Sequence, residues 1–199
     1  YNLGLMYLHG RGVPEDDKKA VKWYQKAADQ GQARAQTSLG FMYHQGQGVK
    51  QDYAKALELY TKAAGQGNMY AQNGLGVMYR NGKGVKQDFK EAVKWYQKAA
   101  DQGLAKAQNS LGVRYDNGQG VEKDFKKAFE WYSKAAAQNH AVAQNSVGNM
   151  YDTGQGVKQD FKEAFKWYQK AADQGQTRAQ TSLGVMYRNG KGVKQDFKE

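Results

Sequence analysis

Residues 75–91 read LGVMYRNGKGVKQDFKE, and residues 183–199 carry the same string. The Leu-Gly pair that opens this string recurs at intervals of 36 residues, and no insertion breaks the register. A constant period of about 20–50 residues is the signature of an array in which each repeat is one supersecondary unit stacked on its neighbour. The sequence therefore predicts a repeat array. The other pairs are Leu3-Gly4, Leu39-Gly40, Leu111-Gly112 and the variant Val147-Gly148.

The composition is typical of punctuated helices in an ordered chain. Of 199 residues, 40% are hydrophobic, which excludes wholesale disorder, and 24 Gly stand against one Pro. No apolar run reaches the roughly 18 residues that a membrane span needs, and no leader precedes the first repeat. We therefore expect a soluble chain without a membrane span, located in the cytoplasm or in a bacterial periplasmic or secreted fraction. The absence of Cys excludes disulfides and thiolate metal sites.

Each unit is predicted to begin with one helix, called helix A, as residues 33–68 illustrate. Ala35, Leu39 and Tyr43 recur on one face at helical spacing, which predicts helix A over residues 33–44. The connector follows helix A and ends just before a second helix.

The second helix, helix B, is predicted to start after an aspartate. Asp52 stands where an N-cap belongs, and an Asp recurs at this slot in every unit. In three units a Glu stands three residues after the Asp, which predicts a capping box. The equivalents of Asp52 are Asp16, Asp88, Asp124, Asp160 and Asp196, and the glutamates are Glu91, Glu163 and Glu199.

Three further slots predict how the helices pack and end. One helix-B slot carries Leu59 in the second unit and Trp elsewhere, and we expect this slot in the core. Helix B ends at a Gly, once replaced by Asn139, because a left-handed residue closes a helix most easily there. The Gly of Leu-Gly lies inside helix A, where it costs about 1 kcal/mol against Ala unless helices approach closely, so close packing is predicted. The Trp residues are Trp23, Trp95, Trp131 and Trp167, and the closing glycines are Gly31, Gly67, Gly103 and Gly175.

The complete pattern stands at residues 107–136 as AQNSLGVRYDNGQGVEKDFKKAFEWYSKAA. It resembles the Sel-one-like repeat, a relative of the tetratricopeptide repeat, over essentially the whole chain. The resemblance implies an all-α fold, namely a right-handed superhelical α-solenoid of antiparallel helix pairs, and a role as a scaffold or adaptor that binds other proteins. The departures from the pattern are Leu59 for Trp, Val147 for Leu, Asn139 for Gly, and Pro14 and Asp17 in the first unit.

The repeat boundaries define one array of about five and a half units. Because the first and last units are partial, we expect the chain to be a segment of a longer protein. Repeats bury their apolar faces only against neighbours, so we also predict end-to-end self-association through helix A of the first unit and residues Asp196 to Glu199. The units are 1–32, 33–68, 69–104, 105–140, 141–176 and 177–199.

The conspicuous small and polar motifs do not predict catalysis. The Gly-x-Gly element, as at Gly46 and Gly48, lacks the preceding strand that a phosphate loop needs. The serines at one helix-A slot recur without a partnered base, so no triad can be assembled. We therefore predict that the chain is not an enzyme and holds no cofactor. These serines are Ser38, Ser110 and Ser182.

The three histidines, His9, His44 and His140, are too few and too scattered to predict a metal site without Cys. The cysteine-rich branch of the family implies a hydrolase-like activity, including an interaction with β-lactams, as a remote alternative function. The disulfides of that branch cannot form in this chain.

The net charge of +11 raises a rival function, because basic arrays can hold nucleic acid or an acidic polysaccharide. The charge is spread, however, and no unit carries more than +3. One helix-B slot also alternates in sign between repeats, which predicts ion pairs between neighbouring repeats rather than a continuous basic ridge. Binding of a polyanion by Lys-rich outer helices is therefore the alternative, and nucleic acid is not favoured. The alternating slot reads Lys22, Glu58, Lys94, Glu130 and Lys166, and the Lys-rich helix-B rows are Lys90, Lys94, Lys98 and Lys162, Lys166, Lys170.

The predicted binding residues are the helix-A positions that packing leaves free. If helix A lines the inner curve, as the resemblance implies, its second, fifth, ninth and twelfth residues form one face away from the packed positions. These positions differ between repeats, whereas the packed positions are nearly constant. We predict that an unidentified peptide or protein binds in a concave groove lined by Arg34, Thr37, Phe41, His44, Tyr70, Asn73, Val77, Arg80, Lys106, Asn109, Val113, Asp116, Val142, Asn145, Asn149 and Asp152.

Overall fold

The computed structural model describes residues 1–193, and in this part of the chain eleven α-helices follow one another, joined by short turns. Odd-numbered helices are the A helices of the repeats and even-numbered helices are the B helices. Helix A of the second unit, predicted over residues 33–44, is observed at Ala33–Gln45. The helices are α1 (Asn2–His9), α2 (Asp17–Asp29), α3 (Ala33–Gln45), α4 (Tyr53–Gly65), α5 (Met69–Asn81), α6 (Phe89–Asp101), α7 (Ala105–Asn117), α8 (Phe125–Ala137), α9 (Ala141–Thr153), α10 (Phe161–Ala172) and α11 (Thr177–Asn189).

The helices are divided between two compact bodies of several repeats each, and from here on the word unit means one of these two bodies rather than a repeat. The first unit is Tyr1–Gln102 with α1 to α6, and the second begins at Gly103 and contains α7 to α11. Within each unit, consecutive helices pack against each other as antiparallel pairs. Each unit has its own buried clusters of Ala, Tyr and aliphatic side chains. The predicted all-α fold of 36-residue helix pairs is therefore confirmed.

The predicted aspartate N-caps are confirmed at α2, α4, α6, α8 and α10. In each case the Asp side chain accepts a hydrogen bond from the backbone N–H three residues later, at 2.9–3.0 Å. The same backbone hydrogen bond holds the pKa of Asp16 and of Asp124 below the usual carboxyl value. Asp196 and Glu199, which the sequence analysis placed in a further cap and in a sticky end, lie outside the described residues.

The predicted capping box is wrong. In such a box the Glu side chain would accept a hydrogen bond from the backbone N–H of the Asp. The N–H of Asp88 instead donates to the carbonyl oxygen of Tyr79 at 2.9 Å, near the end of the preceding helix A. Glu91 is left to pair with Lys94 at 2.8 Å, and Glu163 pairs likewise with Lys166 at 2.6 Å. The Asp backbone therefore ties the two helices of a repeat together.

Helix B closes at left-handed residues, as predicted. Asn139 has φ 61° and is the one non-Gly residue with positive φ among those described. The next residue, His140, donates its N–H to the carbonyl oxygen of Ala135 at 3.3 Å, which is the long-range bond of a Schellman ending. The equivalent glycines are therefore explained by the left-handed backbone conformation at the end of helix B.

The Gly of Leu-Gly is where the two helices of a repeat touch. A Cβ built on Gly76 would lie 2.5 Å from the Tyr96 ring. The corresponding distance is 2.6–2.8 Å at Gly4, Gly112 and Gly148, and it is 3.0 Å at Gly40. The tyrosines on the other side are 0–5% exposed. The predicted close approach is confirmed at these five sites, but a Cβ on Gly184 would meet no described atom within 4 Å. The Tyr partners are Tyr24, Tyr60, Tyr96, Tyr132 and Tyr168.

The Trp slot lies at the edge of the core rather than inside it. Each Trp is half-buried, whereas the Tyr that follows it is fully buried. Trp95 packs against the buried cluster of the preceding repeat, and Trp167 does the same in the second unit. The expectation of a core position was therefore too strong. Trp95 and Trp167 therefore join their helix B to the repeat before it.

The Gly-x-Gly connector also joins repeats. Gly46 ends α3 in the left-handed conformation, with φ 73°. A Cβ on Gly48 would lie 2.6 Å from the carbonyl group of Asp17, at the start of the preceding helix B. The second glycine therefore lets the connector backbone approach the preceding helix B. This agrees with the interpretation of the motif as a turn rather than as a phosphate-binding loop.

A buried glutamine, which the sequence analysis left without a role, closes the helix-B ends. Gln72 is 5% exposed and accepts a hydrogen bond from Gln102 at 2.7 Å, while its own amide donates to the carbonyl oxygen of Ala64 at 3.5 Å. The same Gln–Gln bond joins Gln66 to Gln36, Gln138 to Gln108 and Gln174 to Gln144, at 2.6–2.8 Å. Each bond links the first turn of a helix A to the end of the helix B that follows it.

Gly76→Ala is expected to destabilise the fold by about 1–3 kcal/mol, because a methyl group must displace a buried tyrosine ring. The matched control is Gly65→Ala in α4, where a Cβ would meet nothing within 4 Å, and it should be neutral or stabilise by up to about 1 kcal/mol through helix propensity. Urea denaturation followed by circular dichroism measures both. Equal effects at the two positions would contradict the packing role of the Gly–Tyr contact.

Candidate partner-binding face

The predicted binding residues occupy the second, fifth, ninth and twelfth positions of α3, α5, α7 and α9, and this set is called the A face. The third, fourth, seventh, eighth and tenth residues of these helices are buried. Because one residue turns an α-helix by about 100°, the A face falls on the side left free by those positions.

The second position is exposed in all four helices. Tyr70 is 58% exposed and Val142 is 47% exposed, and Arg34 and Lys106 are exposed beside them in their own units. Single exposed apolar side chains are common on protein surfaces, whereas contiguous ones mark interaction sites. This position therefore offers contact area in both units.

The ninth position is exposed in two helices and half-buried in two. Phe41 is 47% exposed and Asn149 is exposed, whereas Val77 and Val113 are half-buried. Val113 packs partly against the buried cluster of the second unit. The same position of α11 carries Val185, which is 40% exposed and was not among the predicted residues.

Three A-face residues line one cavity in the first unit. Arg34, Thr37 and Tyr70 surround a volume of about 420 Å³. The wall is completed by residues that the sequence analysis did not select, of which Asn68 is the N-cap of α5 and accepts from the N–H groups of Tyr70 and Ala71 at 3.1 Å. The N-cap position was a usable signal for Asn68, because it fixes the residue beside the exposed second position. The additional wall residues are Tyr1, Ser38 and Asn68.

The twelfth position turns toward helix B. It lies only about 40° around the helix from the buried eighth residue, so its side chain reaches the helix pair. The His44 ring packs edge-on against Tyr53 at 5.3 Å, and Asp116 accepts a hydrogen bond from the Tyr132 hydroxyl at 3.3 Å. Burial, with the charge of Asp116 second, raises the pKa of Tyr132. His44, Asp116 and Asp152 are half-buried, as is Arg80, which binds Asn81 through Nε at 3.0 Å.

The fifth position holds an unusual polar feature. Asn73, Asn109 and Asn145 are half-buried, and in each the Oδ1 atom is buried with no hydrogen-bond partner among the described residues. Thr37 at the same position instead donates to the carbonyl oxygen of Ala33 at 2.8 Å. A buried acceptor without a partner costs about 1–3 kcal/mol, so a hydrogen bond from a bound molecule to these oxygens would be favourable.

The helix-B lysines are exposed and partly neutralised within their own helices. Lys94 pairs with Glu91 and Lys166 with Glu163, and Lys98 lies 4.4 Å over the Trp95 ring. At the alternating slot, every ion pair found among the described residues joins residues of one helix, including Lys62 to Glu58 at 2.6 Å. The predicted pairing between neighbouring repeats was therefore wrong, because a partner three or four residues away is closer than one on the next repeat.

The histidines do not gather. Within residues 1–193 there is no group of three or more His, Asp or Glu side chains that could hold a metal ion, and no helix is long and apolar enough to cross a membrane. His140 has a structural role instead, since it is the N-cap of α9 and its Nδ1 accepts the N–H of Ala143 at 3.2 Å. Burial, followed by the charge of Lys106, lowers the pKa of His140 below its usual value.

The His140 cap should make α9 sensitive to pH. The neutral ring accepts the Ala143 N–H, and a lowered pKa means that the unfolded chain binds the proton first. The stabilising contribution is therefore complete above the usual histidine pKa of 6.5 and is lost as the pH falls through the lower folded value. Thermal denaturation from pH 8 to pH 5 measures this loss. His140→Asn should abolish it, because Asn caps without titrating, as Asn68 does in α5. An unchanged pH profile in the variant would contradict the role of His140.

Comparison with known proteins matches the repeats to a described family. The family model described as Sel1 repeat matches residues 1–32, 33–68, 70–104, 105–140, 141–176 and 177–199. This is the repeat that the residue pattern resembles.

Solved structures give the same fold. A Sel1 repeat protein from Oxalobacter formigenes is 40% identical with a TM-score of 0.93, and the match covers 98% of this chain and 80% of that one. A protective antigen of uropathogenic Escherichia coli with an SLR fold is 40% identical with a TM-score of 0.89, over 98% of this chain and 42% of the antigen. An immunity protein from Pseudomonas aeruginosa is 26% identical with a TM-score of 0.60, over 89% of this chain and 68% of that protein. This chain therefore spans less than half of the Escherichia coli antigen.

Proposed function

The chain belongs to the Sel1 repeat family, and we propose that it is a scaffold that binds a peptide or protein along the A face of its helices. The observation that carries the proposal is the contrast between two sets of helix-A positions. The positions that face the core repeat almost without change, whereas the A face varies from repeat to repeat and exposes Phe41, Tyr70 and Val142. A surface that varies while its frame is constant can be specific for one partner.

The chemistry of the exposed residues suits a protein partner. Tyr and Arg are enriched among the residues that dominate protein interfaces, because they combine apolar area with hydrogen bonding. In the first unit Arg34 and Tyr70 lie at one cavity with Thr37, so an anchor side chain of the partner has a place to enter. The Tyr70 ring offers apolar contact area to the partner, and the Arg34 guanidinium orients the partner through hydrogen bonds.

The asparagines at the fifth position of helix A are a second observation that supports partner binding at the A face. An amide offers a donor and an acceptor, which match the C=O and N–H groups of an extended peptide. Asn73, Asn109 and Asn145 hold an unpaired buried oxygen, a feature that calls for an explanation other than stability. We propose that these amides hydrogen-bond the partner backbone after a side-chain rotation.

The names of two family relatives support a role other than catalysis. One is named an immunity protein and one a protective antigen, and neither name describes an enzyme. We propose that this chain likewise carries out no chemistry. End-to-end association, which the sequence analysis predicted, stays a prediction.

The A face is tested by Tyr70→Ala combined with Arg80→Ala. A partner is first purified by capture from the envelope and cytosolic fractions of the source organism, and its affinity is then measured by calorimetry. The double variant should bind at least about tenfold more weakly, since interface residues of these types contribute about 1–2 kcal/mol or more each. The control is Lys90→Ala combined with Lys162→Ala, which removes two exposed helix-B cations. Loss of binding in the control but not in the A-face variant would favour the polyanion alternative instead.

The asparagines are tested by replacing Asn73, Asn109 and Asn145 together with Ala. Because each substitution removes an unsatisfied buried oxygen, thermal stability should stay the same or rise, while the affinity for the partner should fall. Differential scanning calorimetry and binding calorimetry give the two values. A variant that melts earlier and binds as tightly as the parent would show that these amides serve the fold.

A further inference from the structure

A cleft of about 590 Å³ opens between α2 and α4 in the first unit, away from the A face. It lies at Leu59, the helix-B position that carries Trp in α2, α6, α8 and α10. Ala28, Asp29 and Gln25 of α2 form one wall, and Glu58 and Lys62 of α4 form the other. The cleft therefore coincides with a departure of this repeat from its neighbours.

The other repeats show what occupies the equivalent space. Trp95 packs its ring against the cluster that contains Ala64, and Trp167 packs against the cluster that contains Ala136. Ala64 and Ala136 are the repeat equivalents of Ala28, which lines the cleft. Leu59 contacts the corresponding cluster with a side chain much smaller than an indole. The chain thus contains its own examples of an indole seated on this surface.

In the other repeats a lysine lies over the Trp ring, and the equivalent lysine at the cleft has no ring beneath it. Lys98 lies 4.4 Å over Trp95 and Lys170 lies 4.4 Å over Trp167, each three residues after the Trp. Lys62 holds the same place after Leu59, but it pairs with Glu58 at 2.6 Å on an exposed helix surface. An exposed pair of this kind is weak, so Lys62 is free to move over an aromatic ring.

The cleft also offers an acceptor that the Trp95 site lacks. The indole Nε1 of Trp95 is buried without a hydrogen-bond partner among the described residues, and Gly65 stands there at the position of Asp29. Asp29 already accepts a hydrogen bond from Gln25 at 2.7 Å, but its carboxylate has further lone pairs. An indole in the cleft can therefore donate its N–H to a carboxylate.

We propose that this cleft binds a tryptophan side chain of a partner peptide, whose ring takes the place of the indole that Leu59 does not supply. The ring would lie on Ala28 and Leu59, with Lys62 over its face and Asp29 at its N–H. The site is on the B-helix side of the repeat and is independent of the A face, so the two proposals can fail separately.

The test is a titration with N-acetyl-tryptophanamide followed by amide chemical shifts in NMR spectra. The parent chain should show saturable shifts confined to residues around Ala28, Leu59 and Lys62, with a dissociation constant on the order of 1 mM, as expected for a fragment of this size. N-acetyl-leucinamide at the same concentrations should produce no saturable shift. Absence of a localised response to the tryptophan probe would overturn the proposal.

Two variants make the assignment specific. Leu59→Trp fills the cleft from within and should abolish the response. Trp95→Leu should create a second site, with shifts around Ala64, and so raise the number of bound probes. Retained binding in the first variant, or no second site in the second variant, would contradict the equivalence of the two positions.

A third variant keeps the test decisive if either of these fails to fold. Lys62→Ala alters only an exposed side chain and should weaken the probe several-fold through loss of its cationic cover. Unchanged affinity in Lys62→Ala would count against the stacked geometry.

Discussion

The contact between a glycine inside helix A and a buried tyrosine of helix B is the constraint on which the other packing depends. The Tyr ring occupies the space that a Cβ would fill, so the two helices of a repeat are closer than any larger residue allows. With this distance set, the Asp N–H reaches back to the end of helix A, and the Gly-x-Gly turn meets the preceding helix B. The Gln–Gln bonds then close the far ends of the pairs. One repeated contact thereby determines the position of several others.

The same constraint separates structure from recognition. Because the buried Ala, Leu and Gly positions use one side of helix A, its opposite side carries fewer packing requirements. That side carries the variable residues, and it exposes aromatic and aliphatic groups that the core does not need. On the B side, the repeat that carries Leu59 where the others carry Trp keeps its helix pair and has a cleft at that position. Both candidate sites therefore arise where the repeat leaves a position unused for packing.

The period, the aspartate caps and the left-handed Asn139 could be predicted because each depends on local chemistry at a fixed spacing. The Gln–Gln hydrogen bonds could not be predicted, because a polar residue at a constant slot is compatible with an exposed or a buried side chain until the neighbouring helix is placed. The capping box failed for a similar reason, since the Asp88 N–H found an acceptor in another helix. For the A face, the second position is exposed in all four helices and the ninth in two of them, but the twelfth lies closer to helix B than spacing alone indicated. The cleft at Leu59 was visible only as a departure from the pattern, because its size depends on packing between repeats.

The central claim is that a partner lies on the A face and leaves the outer lysine rows of helix B uncovered. Site-specific photo-cross-linking of the purified complex tests it directly, with the reactive residue placed at position 70 or 142 on the A face, or at position 94 or 166 on helix B. The account predicts cross-links to the partner from the A-face positions and none from the helix-B positions. Cross-links from positions 94 and 166 alone would contradict it.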